Sequence, residues 1–249
     1  MKIVTYGGGT NSTALLIGLR DRKEIPDAIV FSDTGGEKPF TYEYIERMKI
    51  WCKRNNFPEI TIVRKGGNNE TLEEDILRRK TIPSVAFGYK TCSSKYKIEP
   101  FEKWCNHHDK CQELWEAGGR VIKILGIDAD ETRRARKSTS KKFKNRYPLI
   151  EWDWGRDDCI DIIKTEGLPL PGKSSCFFCP NTKPKDILLL PKDLKKRAIE
   201  IEQNFLANDK GGPVRGLGRN WSWSHLIETA DRQESFYFAQ DMPCGCYDG

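Results

Sequence analysis

The 249 residues hold 42 Lys and Arg against 36 Asp and Glu, a formal charge of +6, and 37% of them are hydrophobic. With a mean hydropathy of −0.65 and no apolar run near the roughly 18–20 residues a bilayer span needs, the sequence carries no spanning helix. MKIVTYGGG is too short in apolar residues for a secretory signal, so the expected compartment is the cytoplasm, where nine cysteines read as thiols, redox groups or metal ligands rather than a disulfide scaffold.

KIVTY at 2–6 is a β-branched run, followed by GGGTNS at 7–12 and an apolar helical stretch at 13–19, which together give strand, glycine loop and helix. DAIVFS at 27–32 predicts a second strand, ending at Asp33, Thr34 and Gly35. From Pro39 to Arg54 the spacing places Phe40, Tyr44, Ile45, Met48 and Cys52 on one helical face. Residues 59–63 and 121–127 predict a third and a fourth strand, with a helix-rich segment at 71–119 between them. Strands alternating with helices imply an α/β fold with a mostly parallel, doubly wound sheet. The dense basic stretch at 133–146 reads as a loop, and a further helix is expected near 194–206. The expected division is a nucleotide-binding domain over 1–150 and a cysteine-bearing C-terminal region over 151–249.

A glycine loop between a strand and a helix does specific physical work. Gly7, Gly8 and Gly9 lack Cβ atoms, so their amides can approach a phosphate closely. The helix N-terminus behind them offers free N–H groups and a partial positive charge, and Thr10, Ser12 and Thr13 add hydroxyls. Neither a Walker lysine nor G-x-G-x-x-G spacing is present. The alternative for this segment is a tight turn without a ligand.

GGGTNS resembles the PP-loop, Ser-Gly-Gly-x-Asp-Ser, with Gly7 in the serine position and Asn11 in the aspartate position. DTGGEKPFTY at 33–42, CSSKYKIEPF at 92–101, LGIDADETR at 125–133, YPLIEWDW at 147–154, SSCFFCP at 174–180, RGLGRNWSW at 215–223 and CGCYDG at 244–249 are similar, in the same order, to segments of the PAPS and APS reductases. That resemblance implies an adenine nucleotide, PAPS, APS or ATP, across the strand ends, touching the glycine loop, Asn11, Thr34, Gly35, Gly126 and Asp128. Arg133 and Arg219 are then candidates for clamping phosphate or sulfate. Asp33 becomes a ribose or metal contact, or equally a helix N-cap.

The same resemblance implies that Cys244 is a nucleophile toward sulfur, with Cys246 beside it where the family has leucine. Cys92, Cys159, Cys176 and Cys179 are then the expected ligands of a four-iron four-sulfur cluster, with zinc as the competitor. Cys52, Cys105 and Cys111 read as small apolar residues.

Two enzyme functions and one non-enzymatic one follow. The first is sulfonucleotide reduction to sulfite, with a thioredoxin-like reductant as partner. The second is an ATP-dependent sulfurtransferase of the tRNA-thiolation or DNA-phosphorothioation type, with Mg²⁺, a nucleic-acid acceptor and a cysteine desulfurase as companions. The third is a nucleotide-binding module without chemistry.

Overall fold

A computed structural model describes residues 1–66, 70–208 and 212–240. Its strands are β1 (Lys2–Tyr6), β2 (Ala28–Ser32), β3 (Ile60–Val63), β4 (Val121–Leu125) and β5 (Phe143–Arg146). The helices are α1 (Thr10–Asp21), α2 (Pro39–Arg54), α3 (Leu72–Arg78), the single turn α4 (Thr91–Ser93), α5 (Glu99–Asn106), α6 (Asp109–Glu116), α7 (Pro148–Glu151), α8 (Arg156–Thr165), α9 (Pro184–Leu188), α10 (Lys192–Leu206) and α11 (Trp223–Gln240). The chain divides into two compact units, Met1–Thr71 with Ser93–Cys176, and Leu72–Cys92 with Phe177–Gly249. The boundary expected at residue 150 falls inside the first of these.

The first unit is built on one parallel sheet in the order β3-β2-β1-β4-β5. β1 pairs with β2 through Ile3↔Ala28 and with β4 through Lys2↔Ile122, so the strand carrying the glycine loop lies in the middle. Alternate side chains go to opposite faces. Val4, Tyr6, Ile29, Phe31 and Ile124 join a core with α1, α2 and α8. Ile3, Val30, Val121 and Phe143 join a second core with Phe101, Cys105 and Cys111. A sheet covered on both faces explains why its central strands are apolar runs rather than alternating ones.

Helix α1 starts earlier than the apolar pattern suggests, at Thr10, because the loop ends at Gly9, whose backbone pairs both ways with the Ser12 hydroxyl at 3.0 and 3.2 Å. The segment at 133–146 is not wholly a loop. It closes a 3₁₀ turn over Ala129–Arg134 and supplies the edge strand β5, hidden in sequence because Phe143 is the only apolar residue of FKNR.

In the second unit α10 buries Leu194, Ala198, Ile201 and Phe205. Glu202, on the same face and fully buried, accepts hydrogen bonds from the amides of Leu217, Trp223 and Ser224 at 2.7, 2.9 and 2.8 Å. The Ser222 and Ser224 hydroxyls add two more, each at 2.6 Å. One carboxylate thus ties the segment containing Arg215–Trp223 to α10. Among the described residues no helix is long and apolar enough to cross a membrane.

Candidate functional site

In the order β3-β2-β1-β4-β5 the chain reverses its direction of winding between β1 and β4, and ligands of open α/β sheets gather beyond the strand ends at such a point. A cavity of about 600 Å³ lies there, floored by Gly7, Gly9, Thr10, Asn11 and Ser12 on one side and by Leu125, Gly126 and Ile127 on the other. Two glycines are required by this geometry. Gly8 has φ of +68°, and a Cβ on Gly126 would meet the Ser12 nitrogen at 2.9 Å. The approach of β4 to the start of α1 therefore depends on the absence of a side chain at 126.

The first amides of an α-helix have no partner within the helix, and here Thr10, Asn11 and Ser12 of the first turn of α1 line the cavity. Lys97, Arg134, Arg156 and Lys173 line the same cavity, with Glu131 as the acid among them. Lys97 sits on a π-helical turn, Ser94–Ile98, whose Lys97 carbonyl accepts from the Ser32 hydroxyl at 2.8 Å. Its ammonium lies 3.1 Å from Glu37, a carboxylate that is only 4% exposed. A second, more apolar cavity of about 350 Å³ shares Thr5, Gly7, Lys97 and Leu125 with the first and is otherwise walled by Val30, Ile98 and Phe101 among others.

The sequence candidates distribute themselves unevenly. Gly7, Gly9, Thr10, Asn11, Ser12 and Gly126 face the first cavity. Thr13 is fully buried and bonds the Tyr6 hydroxyl at 3.1 Å, so it anchors α1 to the sheet. Asp128 is 2% exposed, accepts from the Asn11 amide at 2.7 Å, and caps the turn that follows by accepting from the Glu131 amide at 3.1 Å. Arg133 is exposed and its neighbour Arg134 lines the cavity instead. Arg219, in the second unit, donates to Asn181 at 2.8 Å. Lys97, Arg156, Lys173 and Ser174 were missed. Lys97 and Ser174 lie inside the matched segments at 92–101 and 174–180 but were not named as site residues, and Arg156 and Lys173 are single polar residues outside any motif.

Asp33 does not cap α2 and is instead held by its own neighbours. Its carboxylate accepts from the Gly35 amide at 2.8 Å, the Tyr42 hydroxyl at 2.9 Å, and Arg64 Nε and Nη2 at 2.8 and 2.6 Å. The residue capping α2 is Lys38, not Asp33. Asp33 therefore fixes the turn after β2. Burial and then the Asp33 charge push the Tyr42 phenol well above its ordinary range.

Thr34 reaches the Cys176 sulfur at 3.2 Å and Glu37 Oε1 at 3.3 Å, while residues Glu37 and Cys176 pair as an antiparallel bridge. Ser174 approaches the loop so closely that a Cβ on Gly9 would stand 2.7 Å from its hydroxyl. The 174–176 segment thus returns across the glycine loop.

Of the four cysteines expected to ligate a cluster, Cys159 and Cys176 belong to the first unit and Cys92 and Cys179 to the second. Cys159 lies on the inward face of α8, fully buried in the apolar core with Leu149 and Ile163. Burial pushes its thiol up to about 12. Among the described residues no group of three or more His, Cys, Asp or Glu is arranged to hold a metal ion. Cys52, Cys105 and Cys111 are all fully buried core residues. Cys244 and Cys246 lie outside the described residues.

No protein-family model matches the chain. It is 24% identical over 217 residues to the uncharacterized nin region protein ORF290 of Escherichia phage lambda, spanning 78% of this chain and 70% of that one. Among solved structures it overlaps the U34-tRNA thiolase NcsA of Methanococcus maripaludis, determined with its 4Fe-4S cluster, with a TM-score of 0.48 and 15% identity over 99% of this chain and 75% of the other.

Proposed function

We propose that the chain is a PP-loop enzyme that binds ATP and uses it to activate a nucleic-acid acceptor for sulfur transfer. The observation that carries this reading is the first cavity: a glycine loop and helix N-terminus, lined also by Lys97, Arg156, Lys173 and the Glu131-paired Arg134, at the switch point of a parallel sheet. Such a site suits a chain of phosphates, and the adjoining apolar cavity suits the base.

In this reading the acceptor's oxygen attacks the α-phosphorus of ATP and pyrophosphate leaves. A sulfur nucleophile then displaces AMP from the adenylated acceptor. Backbone amides and the cations stabilise charge on the departing pyrophosphate. Mg²⁺ accompanies ATP as its counter-ion. The tail cysteines Cys244 and Cys246 are the sequence candidates for handling sulfur, and Cys176, 3.2 Å from the Thr34 hydroxyl, is a described thiol two residues from the cavity-lining Ser174. The basic segment at 133–146 joins this cavity through Arg134 and suits a nucleic acid as the acceptor.

Sulfonucleotide reduction is the second reading, favoured by the Cys244 tail in CGCYDG. One assay separates the two. Purified protein is incubated with ATP, with and without bulk tRNA or DNA, and AMP and pyrophosphate are followed. In parallel, PAPS or APS with a thioredoxin-type reductant is assayed for sulfite. Acceptor-dependent AMP and pyrophosphate is the expected result. Sulfite formation without ATP turnover would replace the first reading by the second.

A further inference from the structure

Asn11, in the first turn of α1 beyond the glycine loop, carries a neutral amide set between an acid and a base. Asn11 Nδ2 donates to Asp128 Oδ2 at 2.7 Å, and Arg156 Nη1 donates to Asn11 Oδ1 at 2.8 Å. Asp128 is held by a second bond, and the backbone of Arg156 is fixed at its helix start. Asp128 is 2% exposed and its other oxygen accepts from the Glu131 amide at 3.1 Å. Arg156 opens α8, and its own amide donates to Asp130 Oδ2 at 2.7 Å. A Cβ on Gly155 would meet that same oxygen at 2.9 Å, so the helix start sits tightly on Asp130.

An amide is suited to this position because one end donates and the other accepts. An aspartate at 11 would set two carboxylates about as close as the present Asn11–Asp128 bond, an arrangement that favours protonation or a divalent cation. With asparagine the pair needs neither, and the positive charge at this corner of the cavity is a guanidinium. One of its five N–H donors goes to Asn11, which leaves the fork able to face a ligand in the cavity that Arg156 lines.

We infer that Arg156, aimed by the Asn11–Asp128 pair, is the recognition group for the distal phosphates of the nucleotide, and that Asn11 is its positioning residue. The inference rests on the nucleotide reading of this cavity.

The test is calorimetric binding of ATP, AMP and inorganic pyrophosphate to the full chain and to R156A, R156K and N11D, with thermal melts showing that each variant is folded. R156A weakens ATP and pyrophosphate by about tenfold or more, as expected for loss of a charge-assisted contact, and AMP by less than about threefold. R156K recovers part of the loss. N11D weakens both polyphosphates in EDTA and regains them in Mg²⁺, because its two carboxylates then share a cation.

Equal losses for ATP and AMP in R156A, or none, overturn the role of Arg156 while leaving the nucleotide reading intact. N11D indistinguishable from the parent in EDTA overturns the role of Asn11. Parent protein that binds pyrophosphate but no adenine nucleotide removes the nucleotide reading, and loss of pyrophosphate in R156A then still supports the anion role. Parent protein that binds none of the three overturns both.

Discussion

Cys159 shows how one residue changes meaning between sequence and structure. In GRDDC it stands among polar neighbours and is available as the fourth ligand of a cluster. Four residues later comes Ile163, and in α8 both turn inward against α1. Replacing this thiol by alanine, C159A, removes a buried sulfur and costs about 1–2 kcal/mol in urea unfolding, the size of a modest cavity. Iron and zinc content, measured after anaerobic purification, stays unchanged. A variant that loses metal in proportion would restore Cys159 to the ligand set. The pH dependence has a definite sign. Burial raises the folded thiol to about 12, while an unfolded cysteine ionises near 8.5. The unfolded chain therefore releases its proton first, so this contribution is complete below about pH 8.5 and fades as pH rises toward 12. Denaturation midpoints of C159A should fall less steeply between pH 9 and 11 than those of the parent.

At the scale of elements, the glycine loop was legible because strand, Gly-rich turn and helix follow each other directly in sequence. Strand β5 was not, because an edge strand needs only one buried side chain, Phe143, to be held by its neighbour β4. Glu202 was equally hidden. An acid in a lysine-rich helix reads as solvated, yet it falls four residues after Ala198, on the buried face of α10. Its five donors come from Leu217, Ser222, Trp223 and Ser224, and no sequence pattern links a helix to turns 15–22 residues further on. Truncation by E202A leaves three backbone amides and two hydroxyls to find new partners. A loss of about 3 kcal/mol or more is expected, in the range for breaking a buried hydrogen-bonded charge. Thermal and urea unfolding monitored by tryptophan fluorescence checks it, since Trp223 is fully buried beside this carboxylate. A change within 0.5 kcal/mol, about the effect of an ordinary surface substitution, would mean the segment is held by something else.

At the scale of the whole molecule, the charge of +6 is unevenly placed. Between Glu131 and Glu151 there are eight Lys and Arg and no acid. Two of the eight are neutralised locally, Arg134 by Glu131 and Arg146 by Glu24 and Glu151. Arg133, Arg136, Lys137, Lys141 and Lys144 are exposed along the approach to β5 and on it. Composition alone left nucleotide and nucleic acid equally open as partners. In the fold the two sets of cations differ in place: those at the strand ends line a cavity, while these stand on an open edge. Reversing three of the outer group, K137E, K141E and K144E together, takes the formal charge from +6 to zero without touching either cavity. Binding to tRNA or duplex DNA, measured by fluorescence anisotropy across a salt series, should weaken at every salt concentration. The slope of log K against log salt should shrink by up to about 3, since each phosphate contact contributes roughly 0.9 for duplex DNA. ATP affinity should not change. If the slope stays as in the parent, the acceptor of the proposed reaction does not lie along this edge; if ATP affinity falls with it, the reversals have acted on the cavity through the long-range field and not through a nucleic-acid surface.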